Sequence, residues 1–210
     1  HWEQSTTVTV TAGAEAGAGS LLVTGASEDI SIPVEVSQSA LVGLVLSEIF
    51  INPNGGDDGL EWIEIYNGTG AEVDLSSYSV GYTLGSDLQL GYAAAGFDLS
   101  GSLPAGACIV VGGPTSSDAN GSPTFDVIFN FSPDVQNENK AMALFDTSHA
   151  LVTATTVPIS AIVYGNNSAG FLNAEGDSMT SGHVESPGSG NSLENAGETW
   201  SIQGSPTPGV

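Results

Sequence analysis

Apolar and polar residues alternate with a period of two along much of the chain, and no segment keeps a helical period over three turns. Residues 7–11 read Thr-Val-Thr-Val-Thr, 21–24 are mostly apolar, and 30–36 alternate as Ile-Ser-Ile-Pro-Val-Glu-Val. Side chains on a strand point to opposite faces in turn, so such runs predict short strands. Pro33 has no backbone N–H, which puts its run at a sheet edge or a bulge. From Leu41 the pattern is denser, with runs at 41–51, 62–66, 78–84, 108–111, 127–131, 141–145, 151–155 and 159–164. Each is rich in β-branched or aromatic residues, and turn chemistry such as Asn52-Pro-Asn-Gly-Gly, Asn67-Gly-Thr-Gly and Ser132-Pro-Asp separates them. About eight strands with turns at these intervals predict an all-β, immunoglobulin-like sandwich. After Gly165 the chain is mostly Gly, Ser, Asn and Glu until Trp200, which predicts loop with one closing strand. The organisation expected is residues 1–38 as N-terminal strands, a linker or the end of a preceding β-domain, and 39–210 as the sandwich.

Composition sharpens this reading. The 210 residues include 28 Gly and 10 Pro, which suits many short elements. Twenty-four Asp and Glu face one base, Lys140, for a formal net charge of -23. Nucleic-acid affinity comes chiefly from neutralising phosphates with Lys and Arg, so that class of partner is excluded, as is attraction to anionic membrane surfaces. The longest apolar run, 40–46, falls far short of the roughly 18 residues that span a bilayer. An acidic surface of this kind favours solubility and suits a saline or calcium-containing milieu. The chain opens His1-Trp2-Glu3, with neither a start methionine nor a basic leader, and reads as a processed protein or an excised piece of a longer one. Cys108, in the apolar run Ala-Cys-Ile-Val-Val, reads as a small buried hydrophobe.

Three constellations carry candidate chemistry. In the 61–66 run, alternation puts Glu61, Ile63 and Ile65 on one face and Trp62, Glu64 and Tyr66 on the other. Trp62 and Tyr66 flanking Glu64 make an amphipathic stripe suited to a glycan ring or a protein partner, or else to packing under long loops. Glu61 and Glu64 point to opposite faces, which disqualifies them as a glycosidase pair sharing one cleft. His1, His149 and His183 lie far apart and match no metal-ligand spacing, and neither a nucleophile elbow nor a phosphate-cradling loop occurs. No catalytic residues are assigned. The loop carrying Asn52, Asn54, Asp57, Asp58 and Glu61 offers hard oxygen ligands for calcium, and equally the Asn/Asp/Gly chemistry of a tight turn. No other cofactor is implied.

Leu46-Ser-Glu-Ile-Phe-Ile-Asn-Pro, a polar Gly/Asp turn, Glu61-Trp-Ile-Glu-Ile-Tyr-Asn and Val73-Asp-Leu-Ser-Ser-Tyr-Ser-Val together resemble the opening of a lamin-tail domain of the bacterial type. Leu103-Pro-Ala-Gly-Ala-Cys-Ile-Val-Val resembles that family's strand entry, and 159–165 its segment ending in Tyr-Gly. Ser192-Leu-Glu, Trp200 and Ser205-Pro-Thr-Pro-Gly resemble its C-terminal signature. The likeness covers about four-fifths of the chain, from Leu41 onward. It departs where the family often has an Asp four residues before the tyrosine and an Arg after the Ser-Leu-Glu; Ser160 and Asn195 stand there. The resemblance implies an immunoglobulin-like module without catalytic activity, borne on a larger exported or cell-surface bacterial protein and serving adhesion, scaffolding or targeting of its neighbours through a protein or glycan surface. The alternatives are a calcium-dependent carbohydrate- or protein-binding domain and an accessory domain of a secreted hydrolase.

Overall fold

The computed structural model of the chain describes residues 17–24, 29–36, 41–84, 90–167, 170–197 and 199–209. The strand expected over 7–11 lies outside them. The chain divides into two units, His1–Ser39 and Ala40–Val210. In the first, β1 (Gly17–Thr24) and β2 (Asp29–Val36) pair as an antiparallel ribbon. Pro33 stands opposite Ser20, and every strand of a two-stranded ribbon is an edge, where a missing N–H is tolerated.

The strands of the second unit are β3 (Gly43–Phe50), β4 (Trp62–Gly68), β5 (Val73–Asp74), β6 (Ser79–Tyr82), β7 (Ala95–Asp98), β8 (Ser102–Leu103), β9 (Cys108–Gly112), β10 (Val127–Ile128), β11 (Lys140–Phe145), β12 (Ser160–Tyr164), β13 (Ser192–Asn195) and β14 (Trp200–Gln203). The larger sheet runs β10-β9-β4-β3-β13-β14 and the smaller β12-β11-β6-β7, while β5 and β8 form a short pair of their own. All neighbours are antiparallel except β10 beside β9. The two sheets bury a common core that includes Leu46, Ile49, Ile63, Ile65 and Val111 from the larger and Val80, Met142, Leu144 and Ile162 from the smaller. This is an immunoglobulin-like sandwich.

The centre of the larger sheet turns on a β-bulge. Leu46 pairs with Ile65 and Glu48 with Glu64, so Ser47 is an extra residue in β3. A bulge moves the following residues by one place relative to the pleat. Leu44 and Leu46 before it and Ile49 and Ile51 after it therefore all enter the core, while Glu48 and Phe50 face outward. An unbroken period of two would have put Glu48 and Phe50 in the core instead. The backbone of Leu46 beside the bulge is met by side chains from two other strands. The Ser160 hydroxyl of β12 accepts from the Leu46 N–H at 3.1 Å, and Asn195 of β13 donates to the Leu46 carbonyl at 3.0 Å. The first of these bonds ties one sheet to the other.

Both outer faces are covered by loops. On the smaller sheet Ala143, Phe145 and Val163 pack under Tyr92, Val152 and Phe171. On the larger, Phe50, Trp62 and Val110 pack under Phe125. Three sequence expectations need correction. The 151–155 run is not a strand: Thr156 Oγ1 accepts from the Thr153 N–H at 2.9 Å and Thr153 Oγ1 from the Thr155 N–H at 3.3 Å, local bonds that compete with a ladder. The 127–131 run pairs only over Val127–Ile128, because Phe129 and Phe131 join a ring cluster with Phe97, Phe129 stacking at 3.9 Å between centroids. Among the described residues the region after Gly165 holds two strands, β13 and β14, and Leu193 of β13 is fully buried beside Ile49.

Ser160→Ala is expected to leave the buried Leu46 N–H without an acceptor and to cost about 1–3 kcal/mol, read as a lower urea midpoint with unchanged m-value. A midpoint within error of the parent would mean that this bond does not hold the bulge.

Candidate functional site

The loop joining β3 to β4 holds the five residues expected as calcium ligands, and the structure sends them in different directions. Asn52 donates to the Pro187 carbonyl at 2.8 Å, and Asn54 Oδ1 accepts from the Ser189 hydroxyl at 3.1 Å. Asp58 Oδ1 accepts from Asn130 Nδ2 at 3.0 Å. Asp57 Oδ2 instead accepts from Asn137 Nδ2 at 3.1 Å, and Glu61 Oε2 from the Val135 N–H at 3.0 Å. Asn52 and Asn54 thus meet the loop at 187–189, and of the five only Asp57 and Glu61 meet the loop at 134–138. Among the described residues no three His, Cys, Asp or Glu side chains are grouped to hold a metal ion. Burial raises the Asp57 pKa, and the Asp134 charge acts the same way. Glu61 is pushed up to about 9 by burial, with the Asp134 and Asp57 carboxylates adding to it.

The outer face of β4 shows where the expected stripe of Trp62, Glu64 and Tyr66 goes. Trp62 has no exposed surface. It stacks on Phe50 at 5.6 Å between centroids and donates from Nε1 to the Asn120 carbonyl at 2.9 Å. Asn120 is itself anchored, donating from Nδ2 to the carbonyls of Leu60 and Thr115. Glu64 is only 3% exposed. It accepts from the Ser47 hydroxyl at 2.6 Å and from the Gly209 N–H at 2.7 Å. Glu48, opposite it, accepts from the Thr207 N–H at 3.2 Å and the Thr207 hydroxyl at 3.1 Å. The C-terminal stretch therefore crosses this face and is held by two carboxylates. Tyr66 alone of the stripe keeps part of its surface, so the three do not form an open platform: loop and tail cover the other two. Glu61 and Glu64 answer to separate donors, as their opposite faces require. Cys108, paired with Tyr66, has its thiol pushed up to about 11 by burial and by the Glu64 carboxylate, which keeps it protonated and a poor nucleophile.

Sequence reasoning missed a concavity. A cleft of about 410 Å³ lies beside the bulge, lined by Val42, Val45, Ile159, Glu175, His183 and Trp200 together with Ser160 and Asn195. His183 Nδ1 accepts from the Val163 N–H at 3.0 Å, so the neutral ring carries its proton on Nε2. Trp200 is half-buried, and Val42 and Ile159 are exposed at the rim. The two family departures, Ser160 and Asn195, sit here; the Ser160 hydroxyl and the Asn195 Nδ2 bond to Leu46, and Asn195 Oδ1 accepts from the Gly197 N–H. Trp200 alone in a polar stretch was the signal available in the sequence. Nothing in the local pattern announced Glu48, Thr207 or Asn137, whose partners lie 159 residues away for the Glu48–Thr207 pair and 80 for Asn137–Asp57.

Among the described residues no helix is long and apolar enough to cross a membrane. A family model described as Lamin Tail Domain matches residues 37–171, a span holding β3 through β12. Neither curated proteins nor solved structures give a match.

Burial holds the Glu48 carboxyl above its ordinary range, the Thr207 donors oppose this, and the Glu64 charge reinforces it. The folded chain then keeps a proton that the unfolded chain releases near pH 4.5. Stability from this group is full below that pH and is lost as the pH rises toward the folded-state value. Glu48→Gln is expected to flatten that decline in urea titrations run upward from pH 4.5, and an unaltered slope would refute the assignment.

Proposed function

The chain belongs to the lamin tail domain family, and from that premise we propose that it serves as a non-catalytic interaction module of a larger exported or cell-surface bacterial protein, used for adhesion, scaffolding or targeting of neighbouring domains. Family membership supports the coarse reading of an immunoglobulin-like interaction domain. The observation that carries the finer one is the cleft beside the bulge. An aromatic anchor in a concavity rimmed by exposed aliphatics is how protein interfaces concentrate affinity. Trp200 with Val42 and Ile159 supplies that pattern. Glu175 in the lining and the net charge of -23 favour a partner surface bearing Lys or Arg. Export fits an acidic chain with one lysine, which stays soluble where salt or divalent cations are abundant. Glu61 accepts a loop amide and Glu64 the amide of Gly209 on the opposite face, so the two carboxyls share no cleft as an acid/base pair, which supports a role without chemistry of its own.

Val42 is 81% exposed, so Val42→Asp tests the surface without disturbing the core. Binders selected from a basic-peptide display library are expected to lose at least about tenfold in affinity for Val42→Asp and Ile159→Asp, with melting temperatures unchanged. Binders indifferent to both changes would remove the cleft from the reading. Hits confined to a neutral glycan array would change the partner class to carbohydrate, and turnover in a hydrolase screen that Glu61→Gln abolished would overturn the non-catalytic assignment.

A further inference from the structure

We propose that Asp57, Glu61 and Asn137 form a calcium-binding site where the loop between β3 and β4 meets the loop at 134–138. The site goes beyond the interaction reading and does not depend on it. Two buried oxygens with no hydrogen-bond partner among the described residues belong to residues that bridge this one contact. Glu61 is 2% exposed; its Oε2 takes the Val135 N–H and its Oε1 takes nothing. Asn137 gives its Nδ2 hydrogen to Asp57, and its Oδ1 is buried and equally without a partner. Buried acceptors left unpaired are costly, and a pair of them at one loop contact marks a place for a bound cation or water.

Charge decides which. Glu61 is buried, Asp57 is partly buried and Asp134 is exposed; the Asp57 and Asp134 carboxylates act on Glu61, and Asp134 on Asp57, so negative charge gathers around the buried carboxyl. The one lysine is not there to balance them, since Lys140 donates to the carbonyls of Glu138 and Asn139. A divalent ion would be neutralised by Asp57 and Glu61, accept Asn137 Oδ1 as a neutral ligand, and leave Asp134 to contribute at longer range. All of these donors are oxygen, which selects a hard cation over zinc or copper. Calcium is favoured over magnesium because an irregular set of carboxylates, an amide and waters fits its loose coordination better than a strict octahedron. The loop legible in the sequence thereby keeps two of its five expected ligands. The other three are held elsewhere, and Asn137 comes from 76 positions beyond Glu61 in the numbering.

The test is thermal unfolding of the full chain by circular dichroism in 10 mM CaCl₂, in MgCl₂, and in EDTA with KCl, all at matched ionic strength. Binding to the folded state alone raises the midpoint by mass action, and extracellular-type affinities at this concentration give a rise of about 3 °C or more. That calcium-specific rise is expected in the parent and in Asp58→Asn, which removes one charge from the same loop outside the site. It is expected to vanish in Asp57→Asn and to shrink in Asn137→Ala. Because a core-facing variant can fail to fold, equilibrium dialysis with ⁴⁵Ca²⁺ gives a second readout: one ion per parent chain, bound at least about tenfold more weakly by Asn137→Ala. A rise no larger than that in KCl or MgCl₂, equal losses in Asp57→Asn and Asp58→Asn, or no stoichiometric ion would each overturn the site and leave the two oxygens to water.

Discussion

The bulge at Ser47 is the constraint on which the rest of the larger sheet depends. It joins two apolar frames that are out of step, Leu44 and Leu46 with Ile49 and Ile51, so that one strand feeds the core along its whole length. The cost is a stretch of irregular backbone in the middle of a buried sheet, and buried N–H and C=O groups must be paired. Ser160 and Asn195 supply partners for Leu46 from β12 and β13, and in doing so fix how the smaller sheet and the C-terminal hairpin sit against β3. The cleft opens beside these same residues, so the feature that organises the core also shapes this concavity.

A second constraint is chemical. With twenty-four acids and one base, the chain cannot answer its buried carboxylates with salt bridges. It uses neutral donors instead. Glu61 takes an amide of the 134–138 loop, Glu64 a serine hydroxyl and an amide near the C-terminus, and Glu48 an amide and a hydroxyl. Hydrogen bonds from amides to a carboxylate are charge-assisted and strong, but they do not cancel its charge. Burial therefore still lifts Glu48 and Glu61 above the ordinary range. Every such carboxylate pins a loop or the C-terminal stretch to a sheet, which is how a chain rich in Gly, Ser and Asn keeps long connections ordered over both faces.

The sheet strands with strong alternation were legible from sequence because their burial is decided by residues two apart. Ile63 and Ile65 face the core and Trp62 and Glu64 the other side, as the period requires. What alternation does not carry is what lies over the second face. Trp62 and Glu64 read as a binding stripe until the 113–125 loop and residues 207–209 are laid over them. The same limit explains the 151–155 run, whose threonines had the composition of a strand and bonded to one another instead.

The sequence by itself determined the all-β class, the immunoglobulin-like family, the acidic surface and the faces of the central strands, because each follows from local period, composition or a contiguous motif. Only the tertiary structure decided which polar residues meet. Asn137 reaches Asp57 across 80 positions, Thr207 reaches Glu48 across 159, and Asn195 reaches Leu46 across 149. Hydrogen bonding at 3 Å is a property of the folded neighbourhood, and a loop residue turns toward whichever partner the packed sheets bring within that distance.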